Sequence, residues 1–147
     1  MGRVNGTGQD HSASRIVVDT SAWISYLRRP GSATAKEIAS LLRSEAIILV
    51  GPAIAELLVG ARSVREVEDL HVLIDFVGIA PDNPTDWVRA GTTAMRLRRR
   101  GITVPLLDVL VATMARRLGA PVLTHDRHFE HFEIPVIVRP LVTDTSL

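Results

Sequence analysis

The sequence predicts an α/β fold: one domain in which a central, mostly parallel sheet is flanked by helices. Short apolar runs, rich in β-branched residues, alternate along the chain with amphipathic segments of helical period. Strands buried on both faces in this way are typical of parallel sheets whose crossover connections are helices. The length of 147 residues suits a single domain with one hydrophobic core.

The first half of the chain predicts two strands and four helices. Thr20 and Ser21 offer N-cap hydroxyls to the first helix, and Pro30 with Gly31 ends it. Pro52 suits the first turn of the third helix. The predicted elements are a strand over 15–19, helices over 22–29 and 32–43, a strand over 46–50, and helices over 52–62 and 64–74.

The second half predicts three more strands and two long helices. The elements are a strand near residue 78 in FVGIA, helices over 84–100 and 106–118, and strands in PVLT and PVIV. Gly101 and Gly119 end the two helices, as glycine commonly does. Residues 1–14 are interpreted as a flexible N-terminal extension, 15–140 as the domain, and 141–147 as a C-terminal tail.

Composition excludes several classes of protein. Hydrophobic residues make up 46% and charged residues 22% of the chain, which indicates a folded core. The net charge is only +1, so attraction to nucleic acid has to come from local clusters of basic residues. Cysteine is absent, which excludes disulfides and thiolate chemistry and favours the cytoplasm. No apolar stretch is typical of a membrane span.

Four acidic residues occupy positions that a parallel sheet brings to one edge. Asp19 ends the first strand, Asp126 follows PVLT, and Glu56 and Asp108 lie in helical segments that can reach the same edge. Carboxylates gathered together repel each other and need a cation. Hard oxygen donors without cysteine or paired histidines suit Mg²⁺ or Mn²⁺, which often bridge to phosphates. The pattern therefore indicates phosphodiester chemistry.

Each acid also has a simpler interpretation as a helix cap or a solvated charge. Asp19 precedes two hydroxyl residues, so capping remains open for it. Glu56 and Asp108 are harder to explain in this way, because apolar residues surround both. A buried, unpaired carboxylate is costly, so these two should be protonated, ion-paired or metal-bound.

Basic and histidine residues form a second set of signals. Arg96, Arg98, Arg99 and Arg100 close a predicted helix, where cations complement the helix dipole and could equally contact phosphates. His125, His128 and His131 recur at every third residue. A polar loop after a strand explains them better than a histidine metal site. We expect surface positions for these histidines, or a phosphate-contacting role for His128.

The chain resembles PIN-domain ribonucleases, and more narrowly the VapC-type toxins of bacterial VapBC toxin–antitoxin systems. DTSAW, AIAELLVGA, LLDVLVATMA and LTHDRHF carry the resemblance in this order, over roughly residues 15–140. The resemblance implies a Mg²⁺-dependent endoribonuclease that inhibits translation or growth. It also implies a homodimer and a cognate VapB-type antitoxin.

The resemblance assigns roles residue by residue. The catalytic and metal-binding acids are Asp19, Glu56, Asp108 and Asp126, with Thr20, Ser21 and Thr124 as supporting hydroxyls. Many relatives have a further acid where this chain has His128. The candidate RNA contacts are Arg98, Arg99, Arg100 and His128, and the candidates for an antitoxin groove are Trp23, Tyr26, Leu57 and Leu58.

Two other functions compete with this interpretation. A noncatalytic RNA- or protein-binding module could keep the same fold. A phosphate-accepting receiver-type domain also uses clustered acids and Mg²⁺, but it needs a well-placed lysine, and the one lysine of the chain, Lys36, lies in an early helix. Transfer, ribosomal and messenger RNA all remain open as substrates, because no motif encodes recognition of bases.

Overall fold

The computed structural model describes residues 14–141, and within them strands and helices alternate. The strands are β1 (Ile16–Val18), β2 (Ile47–Val50), β3 (Ile79–Ala80), β4 (Val122–Thr124) and β5 (Val136–Val138). The α-helices are α1 (Thr20–Arg28), α2 (Ala33–Arg43), α3 (Gly51–Val59), α4 (Val64–Val77), α5 (Pro84–Arg99) and α6 (Leu106–Arg117). A 3₁₀ helix spans Arg127–His131. The predicted extension and tail lie outside the described residues, apart from Ser14 and Leu141.

The five strands form one sheet in the order β3-β2-β1-β4-β5, and every pairing is parallel. β1 lies at the centre, with β2 on one side and β4 on the other. In the register of β1 with β4, Val18 is opposite Leu123. The carboxyl ends of these two strands therefore meet at the point where the strand order reverses, which is where open α/β sheets bind ligands.

Helices cover both faces of the sheet. Val17 and Val18 are adjacent in β1, so their side chains point to opposite faces, and both are inaccessible to solvent. All four residues of β2 and all three of β4 are buried as well. In residues 14–141, no helix has the length and apolar character needed to cross a membrane.

Three predicted boundaries differ from the structure. α1 begins at Thr20 with Asp19 as its N-cap, so Thr20 and Ser21 lie inside the helix and do not cap it. α4 continues to Val77 and takes up the start of FVGIA, which leaves only Ile79–Ala80 as the strand β3. Short apolar runs fit either a strand or a helix, and here Gly78 ends the helix with a φ of 76°. α3 ends at Val59, three residues before the predicted end.

The 3₁₀ helix after β4 was not predicted, because five residues are too few to show a period. Its buried residue is Phe129, whose ring meets that of Phe132 edge to face at 5.8 Å between centroids. Asp126 caps the element by accepting a hydrogen bond from the backbone N–H of His128. An apolar anchor thus fixes the segment that follows Asp126.

A buried ion pair joins α5 to α6. The Asp86 side chain is fully buried, and its Oδ2 accepts hydrogen bonds from the Asn83 backbone N–H and from Arg117 Nη2, both at 2.8 Å. The same carboxylate therefore caps α5 and holds the end of α6. The hydrogen bond from Arg117 is the main reason that the pKa of Asp86 lies below its ordinary value.

Replacing Asp86 with Ala should destabilise the protein by about 2–4 kcal/mol, because Arg117 loses its partner and α5 loses its cap. Urea unfolding at pH 7 measures this loss. Since the folded-state pKa of Asp86 is lowered, its contribution is present above the ordinary pKa and disappears as the pH falls through the folded value.

The matched control for this substitution is Glu130→Ala, which removes an exposed carboxylate paired with Arg127. Exposed pairs of this kind contribute between about 0 and 1 kcal/mol. Equal losses of stability in the two variants would contradict a structural role for the pair of Asp86 with Arg117.

Candidate active site

The four predicted acids lie near one another at the carboxyl edge of the sheet. Asp19 directly follows β1, and Asp126 comes two residues after β4. Asp108 lies in the first turn of α6, and Glu56 lies in α3, which packs against α6. Three of these carboxylates act electrostatically on the fourth, as described below for Asp108.

Asp19 is the most tightly held of the four, with only 3% of its surface exposed. Its Oδ2 accepts hydrogen bonds from Ser21 Oγ and Thr124 Oγ1, both at 2.8 Å. Asp19 also occupies the N-cap position of α1, but its contact with the Ser21 backbone N–H is long, at 3.4 Å. The capping role is therefore present, and the two hydroxyls provide the stronger support.

The two hydroxyls also connect the ends of β1 and β4. Ser21 Oγ accepts a hydrogen bond from the His125 backbone N–H at 3.0 Å, and Thr124 Oγ1 accepts one from the Asp126 N–H at 2.9 Å. Each hydroxyl has a single proton, and donating it to Asp19 leaves the oxygen to accept. This pattern fixes the backbone between Thr124 and Asp126 relative to Asp19.

The other oxygen of Asp19 has no hydrogen-bond partner although it is buried, and the same is true of the Thr20 hydroxyl oxygen. Buried carboxylate oxygens normally have partners, and an unsatisfied one costs free energy. Asp19 thus presents an unpaired anionic oxygen, one of the donors that hard divalent cations prefer. This atom fits a metal site.

Asp108 carries the clearest electrostatic signature. Burial, followed by the charges of Asp19, Glu56 and Asp126, raises the pKa of Asp108 to about 7. His128 acts in the opposite direction. A carboxyl that titrates near neutrality because of burial and its neighbours' negative charge is a candidate for a functional site.

The four acids are neighbours, but they do not form a ready ligand set. In the part of the chain that the structure describes, no group of three or more His, Asp and Glu side chains is arranged to hold a metal ion. Glu56 and Asp108 are half-buried, so neither is enclosed by apolar residues as their sequence context suggested. On α3, the side chains of Ala55, Leu58 and Val59 are exposed to solvent beside Glu56.

Comparison with known proteins assigns the family. The PIN-domain family matches residues 16–135. The chain belongs to the PIN-domain family. Over 119 residues, it is 34% identical to VapC ribonuclease Mb1587 of Mycobacterium bovis and to ribonuclease VapC11 of Mycobacterium tuberculosis, covering 78% of this chain and 89% of each relative. It is thus a PIN domain of the VapC ribonuclease group.

Solved structures share the fold of this PIN domain. DNA-bound VapBC from Salmonella typhimurium matches with a TM-score of 0.72 and 19% identity, over 85% of this chain and 98% of that one. VapBC2 from Rickettsia felis, bound to a DNA fragment from the promoter, matches with a TM-score of 0.71 and 15% identity, over 84% and 98%. At these identities the likeness concerns the fold alone.

His128 of this PIN domain pairs with Asp126. The Oδ1 atom of Asp126 accepts a hydrogen bond from the His128 backbone N–H at 2.8 Å and lies 3.1 Å from its Nδ1. His128 therefore contacts the fourth acid directly. When protonated, it reduces the negative charge at the edge of the sheet.

The sequence did not reveal the role of His125, which was interpreted as a surface loop residue. In the PIN domain it is half-buried: Nε2 lies 2.8 Å from Ser25 Oγ in α1, and Nδ1 lies 2.7 Å from the Arg139 carbonyl oxygen. A proton on Nδ1 donates to the carbonyl, which leaves Nε2 to accept from Ser25. Its position directly before Asp126 was the available signal.

The candidates for surface contacts divide into two groups. Trp23 and Leu57 belong to the core and line no groove, because both are buried. Their neighbours Tyr26 and Leu58 are partly accessible, and Tyr26 lines a groove described below. Trp23 is a fully buried member of the hydrophobic core, and its ring lies edge to face against Tyr26 at 5.7 Å between centroids.

The predicted arginine contacts are all exposed, but they do not face one surface. Arg100 lines a cleft between α5 and α6, and Arg98 and Arg99 lie outside it. Consecutive residues on a helix point in different directions, so a run of arginines in sequence cannot form one row in space.

Replacing Asp108 with Asn should flatten the pH dependence of stability in metal-free buffer. Because the pKa of Asp108 is raised to about 7, the folded state binds its proton more tightly than the unfolded state. Wild-type stability should therefore fall, on the order of 1–2 kcal/mol, as the pH rises from about 4 to about 7.

Urea unfolding at several pH values in EDTA measures this effect, and Asp75→Asn, at an exposed position of α4, is the matched control. The control should keep the wild-type slope between pH 4 and 7. A wild type whose stability does not change in this range would contradict the electrostatic coupling of the acids.

Proposed function

We propose that this protein is the toxin of a type II toxin–antitoxin pair, an endoribonuclease that requires Mg²⁺ and inhibits translation or growth by cleaving RNA. Membership of the VapC ribonuclease group supports the ribonuclease activity. The observation that supports the metal requirement is the buried, unpartnered oxygen of Asp19, together with the pKa of Asp108, which burial and the other acids raise. We also propose a cytoplasmic location, because RNA is found there and because a chain without cysteine suits a reducing compartment.

Asp19 and Asp108 would hold Mg²⁺, or Mn²⁺ as the alternative, with Glu56 and Asp126 as direct or water-mediated ligands. Their oxygens are hard donors, and within residues 14–141 only His128 offsets the negative charge that acts on Asp108. When bound, such an ion polarises a phosphate oxygen and lowers the pKa of its water. The raised pKa of Asp108 predicts competition between this cation and a proton near neutral pH.

The residues of the chain have separate tasks around the acids. Ser21 and Thr124 bind one oxygen of Asp19, which leaves the other in a fixed position. The backbone N–H of Asp126 is held by Thr124, and its carboxylate is held by His128. The Asp126 side chain is 35% exposed, so it can orient an attacking water and accept its proton.

A noncatalytic RNA- or protein-binding module is the second candidate. The observation in its favour is that, among residues 14–141, the acids are not arranged as a ligand set. A module of this kind would bind RNA equally well with or without divalent cation, and its biological effect would survive loss of Asp19 or Asp108.

Purified protein should cleave RNA in Mg²⁺ and not in EDTA, and Asp19→Asn should reduce the rate by at least about 100-fold, since the site loses its fixed anionic ligand. Sequencing the new RNA ends gives the target. Asp75→Asn is the control and should cleave normally. Cleavage that persists in Asp19→Asn, with the same ends, would contradict the assignment.

A groove formed by α1, α2 and α4 is the proposed seat of a VapB-type antitoxin. Its volume is about 680 Å³, and Tyr26, Leu27, Leu42, Leu73 and Phe76 supply its apolar lining. Phe76 is 67% exposed, which is costly for an aromatic side chain without a partner. A solved structure with this fold, VapBC-5 from Mycobacterium tuberculosis, belongs to the VapBC family of toxin–antitoxin systems, which supports an antitoxin segment as the occupant.

Phe76→Asp should weaken binding of the cognate VapB-type antitoxin by at least about tenfold, because a charge replaces an apolar anchor. RNA cleavage should be unchanged but should no longer be suppressed by added antitoxin. The control is Val64→Asp, at an exposed apolar position in the first turn of the same helix and outside the groove. Calorimetry measures both affinities, and equal weakening in the two variants would exclude the groove.

A homodimer is the last part of the proposal. Trp87 and Met95 lie two turns apart on α5, and they are 52% and 44% exposed. Such apolar side chains on one face of a helix are suited to an interface between two copies.

A further inference from the structure

An open cleft of about 760 Å³ lies between α5, α6 and the segment 131–134. Five arginines line it: Arg89, Arg96, Arg100, Arg116 and Arg117. Two acids oppose them, Glu133 at the rim and Asp86 beneath, so the cleft has an excess of three positive charges. In a chain whose net charge is only +1, this is a strong local concentration of charge.

Three of the arginines form a straight row. Arg89, Arg96 and Arg100 are spaced at i, i+7 and i+11 along α5, so they lie on the same face of the helix. At 1.5 Å per residue the row is roughly 16 Å long. Arg116 faces it from α6 across the cleft.

The arginines of this row are not engaged within the protein. The guanidinium groups of Arg96 and Arg100 make no hydrogen bond or ion pair with any residue in 14–141, and Arg89 interacts with the buried Asp86 through its charge alone. The helix dipole explains cations near the end of α5 but not Arg89, which lies in its first half. Like charges aligned on one helix face repel, so the row costs free energy unless an anion compensates it.

The cleft is joined to the acidic edge by two short elements. On α6, Asp108 and Arg116 are eight residues apart, which is about 12 Å along the axis. The 3₁₀ helix begins after Asp126 and ends at His131, on the rim of the cleft, about 10 Å away. An RNA strand that crosses the four acids can therefore continue into the cleft.

We infer that this cleft binds the phosphate backbone of the RNA substrate a few nucleotides from the cleaved bond. The inference rests on the proposed ribonuclease function. A guanidinium group can bind two phosphate oxygens at once, and the Thr93 hydroxyl adds a donor between the arginines. Continuity with the acids favours RNA over an acidic protein segment as the occupant. Backbone contacts of this kind add affinity without base specificity.

Two double variants of α5 test the inference. R96Q/R100Q removes two charges from the cleft, and R98Q/R99Q removes two charges from the same end of the same helix, outside the cleft. Both change the net charge and the dipole interaction equally. Far-UV circular dichroism and thermal unfolding check that each variant folds, and the single variant R89Q gives an independent test in the first half of α5.

Binding is measured by anisotropy with fluorescein-labelled poly(U) in EDTA, at a series of salt concentrations, and with labelled polyglutamate as the acidic-protein probe. R96Q/R100Q should weaken poly(U) binding at least about tenfold and reduce the slope of log K against log salt by about 1.4, for two lost phosphate contacts on a single strand. R98Q/R99Q should change the affinity less than about twofold. In cleavage assays R96Q/R100Q should raise KM and leave kcat unchanged.

Three outcomes would overturn the inference. Equal weakening by the two double variants would show a diffuse field, no weakening by R96Q/R100Q would show an unused surface, and loss of polyglutamate binding alone would indicate a protein partner. The binding assay needs no catalysis. If the wild type cleaves no RNA but R96Q/R100Q still loses poly(U) specifically, the ribonuclease proposal fails and the backbone site stands.

Discussion

The site depends on how Asp19 is held at the end of β1. Ser21 and Thr124 both donate to one of its oxygens, and the parallel register of β1 with β4 is what brings Thr124 within reach. The same hydroxyls accept from the backbone N–H groups of His125 and Asp126. One carboxylate thus fixes the ends of two strands. It is the fixed point around which Asp108, Glu56 and Asp126 are arranged.

Concentrating four carboxylates in this way opposes folding, and the rest of the molecule compensates. The central strands are buried on both faces. The helices α3 and α6, which carry Glu56 and Asp108, both contribute apolar side chains to the same hydrophobic core. Asp86 shows the other solution for a buried acid, since Arg117 neutralises it and lowers its pKa. Among residues 14–141, only the charge of His128 opposes the effects of burial and the neighbouring acids on Asp108, and the pKa of Asp108 rises. The contrast separates an acid used for stability from acids used for chemistry.

Much of the fold could be predicted from the sequence because strands and helices here have distinct periods. RIVVD, AIILV and PVLT contain strands. Asp19 directly follows the first of these strands and Asp126 comes two residues after the last, which placed both acids at one edge. The features that escaped prediction depend on contacts between distant residues. The burial of Asp86 depends on Arg117 in the next helix, and the contacts of His125 depend on Ser25, 100 residues earlier. Trp23 has the spacing of either a core or a groove residue, and only tertiary packing assigns it to the core.

The most direct test of the account is the ¹³C NMR titration of the Asp108 side-chain carboxyl, followed with and without Mg²⁺. We expect a pKa of about 7 in EDTA, because burial and three neighbouring acids disfavour the charged form. Mg²⁺ should lower this pKa markedly, since cation and proton compete for the same oxygens. An ordinary carboxyl pKa that does not respond to Mg²⁺ would contradict the claim that these acids form one electrostatic unit built for a divalent cation.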